Sequence, residues 1–253
     1  MQRLPLAFVV AAATLVVGCA GVGSSGRDDA TGGVTRAQAE AIVAGTDRSD
    51  SDRRNDARRK PVEMLTFIGV RPGMAVLDVS AGGGYTSELL ARAVAPNGRV
   101  YAQTPRPPSA GLAARLQKPV AANIVSVVQP FENPAPTSVA TSGLDLVTLM
   151  FNYHDFGHLG IDRARVNAAV FAALKPGGLY VIADHAGRAG TGISESGTLH
   201  RVEEALVRRE VEAAGFRLVG EGGFLRNPAD PRDREEPDPP QPKDEFVLKF
   251  VTP

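Results

Sequence analysis

Between Val76 and Thr86 the chain runs Val-Leu-Asp-Val-Ser-Ala-Gly-Gly-Gly-Tyr-Thr. Apolar and β-branched residues lead into an acid, then a glycine cluster, and Thr86-Ser87-Glu88 opens an amphipathic segment. That order predicts a buried strand, a tight turn and a helix N-terminus. Glycines remove the side chains that would hold a ligand away from bare backbone, and the N–H groups of a helix start point toward it. An acid at the strand end suits a cationic or hydroxyl-rich ligand better than a phosphate. No Gly-Lys-Ser/Thr follows, so the turn is not a P-loop. The stretch reads as a site for a nucleoside-type cofactor.

Strands and helices alternate from there. Ala75 to Val79 is the first predicted strand, Thr86 to Val94 a helix, Arg99 to Ala102 a second strand, Ala110 to Gln117 a weak helix and Ile124 to Val128 a third strand. Leu144 to Phe151, apolar after Asp145, predicts a central fourth strand buried on both faces. A helix over Asp162 to Leu174 ends at Lys175-Pro176-Gly177-Gly178, and Leu179 to Ala183 is the fifth strand. Thr198 to Ala214 predicts a long amphipathic helix with Val202, Leu206 and Val211 inward and Gly215 as its C-cap. Phe216 to Glu221 and Glu245 to Val251 have no helix between them and are expected to pair antiparallel. The fold class is therefore α/β: a doubly wound, mostly parallel seven-stranded sheet with a C-terminal antiparallel hairpin.

Ahead of the sheet, Thr35 is placed to cap a short helix, and Asp47 to Lys60 is a dense run of mixed charge with Arg53, Arg54, Arg58 and Arg59. Such a run is either a solvated helix face or a lid whose arginines approach an anion. Met1 to Gly18 has a charged start and a short apolar stretch, the pattern of an export leader. Leu15-Val16-Val17-Gly18-Cys19 resembles the bacterial lipobox, which implies lipidation of Cys19, the single cysteine of the chain. Ala20 after it implies sorting to the periplasmic face of the outer membrane in a Gram-negative host. The expected organisation is a lipoprotein signal peptide over 1–18, a flexible tether over 19–33, a helical cap over 34–60 and the catalytic-type domain over 61–253. The 28 basic residues are matched by 28 acidic ones, which gives no surplus for nucleic acid.

Four segments together resemble the class I S-adenosylmethionine-dependent methyltransferases over roughly 61–251. They are Asp78-Val79-Ser80-Ala81-Gly82-Gly83-Gly84, Gly143-Leu144-Asp145-Leu146-Val147, Leu174-Lys175-Pro176-Gly177-Gly178 and Ala213-Ala214-Gly215-Phe216. Within that family the chain is similar to a bacterial branch with export leaders, through Tyr153-His154-Asp155 and Thr198-Leu199-His200-Arg201. The resemblance implies a Rossmann-like fold, S-adenosylmethionine as cofactor, and cofactor contacts from Asp78, Ser80, Gly82, Gly83, Gly84, Tyr85, Gln103 and Asn152. Ser80 stands where the family has its first glycine, so its backbone is expected at negative φ. Gln103 falls where the family has the acid that grips the ribose, and a neutral amide is the weaker acceptor. Tyr85 either covers the cofactor or caps the core.

All four histidines follow the fourth and fifth strands, at the carboxyl edge where open α/β sheets bind ligands. His154, Asp155 and His200 are the catalytic candidates, with a histidine as general base for an oxygen or nitrogen nucleophile. Tyr153, His185 and Arg201 are the substrate-binding candidates, Arg201 alternatively capping its own helix region. His154, Asp155, His185 and His200 also have the donor chemistry of a zinc or iron site, although no histidine spacing stands out and His154 and His158 share an i,i+4 spacing only if that loop is helical. The expected activity is methyl transfer to a small-molecule or envelope acceptor, with a membrane partner through the lipid anchor and no nucleic-acid partner. The cofactor is made in the cytoplasm while the leader directs the chain out of it. That conflict raises the alternative of a non-catalytic, lipid-anchored envelope protein that binds a nucleoside-like ligand. Neither the methyl acceptor nor the oligomeric state is legible in the sequence.

Overall fold

Seven strands form a single sheet in the spatial order β3-β2-β1-β4-β5-β7-β6. They are β1 (Ala75–Val79), β2 (Arg99–Thr104), β3 (Ile124–Val128), β4 (Leu144–Met150), β5 (Leu174–His185), β6 (Arg217–Gly222) and β7 (Glu245–Val251). The first five run parallel, and β7 inserts antiparallel between β5 and β6. The strand order reverses between β1 and β4, which puts the crevice of a doubly wound sheet above Val79 and Met150. This is a computed structural model that describes residues 1–2, 32–237 and 240–253. The predicted signal peptide and the lipidation site at Cys19 lie outside the described residues, as does the tether up to residue 31. No helix among the described residues is long and apolar enough to cross a membrane.

The helices cover both faces because the central strands are apolar on both. On one side α1 (Arg36–Val43), α3 (Pro61–Ile68) and α4 (Tyr85–Val94) bury Ala39, Leu65, Ile68, Leu90 and Val94 against Val76, Val100 and Leu146. On the other, α7 (Arg163–Ala173) and α8 (Glu204–Ala213) bury Val166, Val170, Val207 and Val211 against Leu77, Val147, Leu149 and Ile182. Fully burying such a side chain stabilises the fold by about 1.5–3 kcal/mol. Thr35 caps α1 in a reciprocal box with Gln38. The charged run becomes α2 (Asp50–Arg59), capped by Ser49 and ended by Lys60 in the left-handed region, after which Pro61 starts α3. Two short helices, α5 (Ala110–Arg115) and α6 (Asp155–His158), complete the set used below.

Two expectations need correction. Thr148 interrupts the apolar fourth strand; its hydroxyl donates to Asp78 at 2.8 Å, so burial costs it nothing in hydrogen bonding. The helix expected from Thr198 begins only at Glu204. His200 takes φ +50, and Val202 forms a parallel bridge with Ala186, so the backbone is committed elsewhere. Arg201 is the reason that segment is pinned. Its guanidinium is fully buried, pairs with Asp230 at 2.9 Å and donates to the carbonyl of Ala186 at 3.0 Å. The expected substrate role of Arg201 is thereby replaced by a structural one: it ties the 186–203 segment to the insert between β6 and β7.

Removing one partner of such a buried pair leaves the other charge uncompensated. Arg201→Met is expected to lower stability by about 3–5 kcal/mol, read as a fall in the urea midpoint, and adding Asp230→Asn should recover part of the loss.

Candidate functional site

Asp78 ends β1 with 1% exposure, and both carboxylate oxygens are taken: Ser87 of α4 donates at 2.6 Å and Thr148 of β4 at 2.8 Å. Burial raises its pKa to about 6, partly offset by those two hydroxyls and by the charge of Arg59. The next turn departs from expectation at Ser80, whose φ is +58 rather than negative. This is the left-handed region that glycine favours, held on a serine here with its N–H donating to Gln103 Oε1 at 2.9 Å. Gln103 is fully buried, and its amide also donates to the carbonyl of Gln129 at 2.7 Å. With both ends of that amide committed, Gln103 does not line the cleft and is not free to hold a ribose.

Gly82 and Gly83 face open space: a Cβ on Gly83 would meet nothing within 4 Å, and one on Gly82 only the Ser80 carbonyl at 3.9 Å. Gly84 instead packs against α5, where a Cβ would lie 2.8 Å from Leu112. Above the turn lies a cavity of about 660 Å³, within the range of small-ligand sites. Asp78, Ser80, Gly82, Gly83, Tyr85 and Asn152 of the predicted set all line it.

Asp52, Asn55 and Arg59 of α2 line this cavity, while Arg53, Arg54 and Arg58 of the same helix are exposed. Asp52 pairs with Arg115 of α5 through two hydrogen bonds of 3.0 and 2.8 Å, and Arg115 reaches Glu88 of α4 as well. Burial works against ionised Asp52, but Arg115 outweighs it and keeps the carboxyl below its ordinary pKa. Tyr85 lines the cavity and packs against the core beneath it; its hydroxyl donates to Asp56 of α2 at 2.6 Å, and Asp56 also takes both terminal nitrogens of Arg48. Arg59 lines the cavity with its guanidinium 3.9 Å from the centroid of Phe151. Among the described residues it has no hydrogen-bond or ion-pair partner. Burial and neighbouring Arg58 lower its pKa to about 10, so it stays cationic at neutral pH. Phe151 itself sits at φ +60, a second strained residue at the rim.

The histidines form a separate cluster beside the cleft. His154 is 4% exposed, with Nδ1 2.6 Å from Asp184 Oδ1 and Nε2 3.1 Å from Asp155 Oδ1. Burial pulls its pKa down, yet the Asp184 and Asp155 carboxylates more than reverse this and hold it at about 9. At neutral pH His154 is therefore held protonated between two carboxylates, and Nε2 offers a lone pair only once that proton has left. His200 lies on the same carboxylate, Nδ1 3.3 Å from Asp155 Oδ1, and Asn152 donates to Asp155 Oδ2 at 2.5 Å, which links the cluster to the cavity. His185 is lowered in pKa by burial and lies 3.0 Å from Glu245, which Arg58 of α2 also meets at 2.8 Å. His158 bonds Ser196 at 3.0 Å. Tyr153 turns to the opposite face of the sheet, fully buried, donating to Glu210 at 2.7 Å. Its expected substrate contact is corrected accordingly. The sequence offered Arg59 only as one of four arginines in a charged run, and gave no sign of the places of Asp52, Arg115 and Phe151 at the cavity.

No protein-family model matches the chain. Over 39 residues it is 59% identical to the protein-L-isoaspartate O-methyltransferase of Aeropyrum pernix, and that match spans 15% of this chain and 15% of the relative's length. The fold superposes on a SAM-dependent methyltransferase from Aquifex aeolicus with TM-score 0.60 and 18% identity, covering 87% of this chain and 100% of that one. It also superposes on a possible exported protein from Bordetella parapertussis with TM-score 0.52 and 16% identity, over 87% and 80% of the two chains. The chain shares with these structures a mostly parallel, Rossmann-like fold.

The buried acid makes a pH prediction. An ordinary Asp titrates near 3.8 whereas Asp78 keeps its proton to about 6, so the fold gains from the neutral acid below pH 3.8 and loses that gain as pH rises through 6. The two-unit difference corresponds to about 3 kcal/mol. Chemical denaturation between pH 4 and 7 should show this fall in the native chain, and Asp78→Asn should flatten it.

Proposed function

We propose that this chain binds S-adenosylmethionine above Gly82 and Gly83 and transfers its methyl group to a small-molecule or envelope acceptor. The observation that carries the proposal is a pair of opposite charges over a bare backbone floor. Asp78 and the unpartnered Arg59 both line the cavity, and the open space at Gly83 is a cradle that any side chain would fill. The amino-acid end of the cofactor carries an ammonium and a carboxylate, which these two charges complement. The methyltransferase fold and the short, close match to a curated methyltransferase support the same reading.

When bound, the cofactor supplies a methyl group activated by its sulfonium. The chain's own contribution is placement and exclusion of water. Asp78 is held rigid by Ser87 and Thr148, Arg59 is stacked on Phe151, and Asn152 offers its amide at the rim. The cap α2, fastened through Asp52 and Asp56, closes the cleft and strengthens each charge inside it. Alignment of two reactants supplies much of the rate of such a displacement, and these are aligning groups. The lipobox-like Cys19 supports a lipid-anchored location in the cell envelope, with the cleft carried on a tether.

Calorimetric titration with S-adenosylmethionine and with its demethylated product tests the reading. One-to-one binding of both is expected. Gly83→Ala should weaken it at least tenfold with an unchanged melting temperature, because the new methyl meets no protein atom. Arg59→Ala should weaken it by about 10–100-fold, the loss of a charge-assisted contact. Binding of neither compound to the native protein would overturn the proposal.

A further inference from the structure

We propose that His154, Asp155 and His200 form a binding site for a first-row divalent cation of the zinc type, at the carboxyl edge of β4 and one side chain from the cleft. One nitrogen from each histidine and one oxygen from Asp155 all lie within 4.8 Å of one another. His154 Nε2 and His200 Nδ1 stand 3.1 and 3.3 Å from the same oxygen, Asp155 Oδ1. Around a tetrahedral zinc with bonds of about 2.0–2.1 Å, ligand atoms are separated by roughly 3.4 Å. Two of the three donor pairs therefore already stand near the spacing an ion would impose, and the third pair lies within 4.8 Å.

What surrounds them is what a metal ligand needs behind it. His154 Nδ1 is fixed by Asp184 Oδ1 at 2.6 Å, the carboxylate–imidazole arrangement that selects the tautomer and presents Nε2 outward. The other Asp184 oxygen accepts the His154 backbone N–H at 2.8 Å, so ring and backbone are held by one group. Asp155 Oδ2 takes the Asn152 amide and leaves Oδ1 for the ion. His200 is aimed inward from a strained backbone at φ +50, with Nε2 toward Glu235 at 4.0 Å. Of the two other nearby imidazoles, His158 is engaged by Ser196 at 3.0 Å and His185 lies 3.0 Å from Glu245.

Charge and access agree. Asp155 and Asp184 bring two negative charges to the cluster, and a divalent ion binds there by displacing the proton that His154 carries between them. His154 and Asp184 are buried, while the side chains of Asp155 and His200 are 22% and 38% exposed, giving an ion a way in. Two imidazoles and a carboxylate form a three-ligand set that keeps a position for water or a substrate oxygen. The site stands on these side chains alone and does not depend on methyl transfer.

The test uses untagged full-length protein in detergent, dialysed against zinc sulfate and then buffer. Metal analysis should find about one zinc per chain, as a single three-ligand site requires. Titration with zinc alone should show Asp155→Asn and His200→Asn weakened at least a hundredfold; asparagine tolerates the left-handed backbone at 200, so the fold is kept. Asp184→Asn, which touches no ion, should weaken binding by about 10–100-fold. A cobalt(II)-loaded sample should show the visible absorption of a tetrahedral site, absent in His200→Asn. Failure of the native protein to retain zinc, or equal retention by folded Asp155→Asn and His200→Asn, would overturn the assignment. Neither result bears on cofactor titration, so the two proposals fail separately.

Discussion

A carboxylate almost wholly removed from water sits at the point where this sheet reverses its strand order. Asp78 is worth burying only because its two oxygens collect a hydroxyl from α4 and another from β4. Those two contacts set the exit angle of the glycine turn, the start of α4 and the register of the crevice at once. The strained backbone at Ser80 follows from the same point, since the turn must leave Asp78 and still let Gly82 and Gly83 face the cavity. The site is thus an extension of one buried acid and its partners.

The roof over the cavity is built on a different principle. Helix α2 has little apolar surface to bury and is held by ion pairs and hydrogen bonds to residues that frame the glycine turn. Partly buried pairs with two-point geometry, such as Asp52 with Arg115, hold far better than exposed ones, yet they break without tearing a core. A charged roof can therefore close tightly and still lift, whereas a hydrophobic one would be locked into the fold.

Periodicity and punctuation made the frame legible. The run into Asp78, the Lys-Pro-Gly-Gly turn and the two helix-free strands at 216–251 each announce their element, and the sheet assembled from them. What escaped is set by contacts distant in sequence. Val202, Leu206 and Val211 have helical spacing, but Arg201 finds Asp230 and the helix starts late. Tyr153 and His154 are neighbours in the turn after β4, yet Tyr153 packs into the core and only His154 joins the cluster, a divergence that no local pattern announces. Gln103 was read as a weak ribose ligand because nothing local shows that its amide is spent on Ser80 and Gln129. The mixed charges of 47–60 look the same whether they face water or a cavity, so the role of Arg59 emerged only when Phe151 was found beneath it.

Glu245 carries a consequence of its own. It begins β7, the strand wedged between β5 and β6, and it meets both Arg58 of the roof and His185 beside the cleft, the first of these 187 residues away in sequence. The strand that completes the sheet thus also carries one of the anchors of the roof, so the sheet and the cap over the cleft share a single carboxylate.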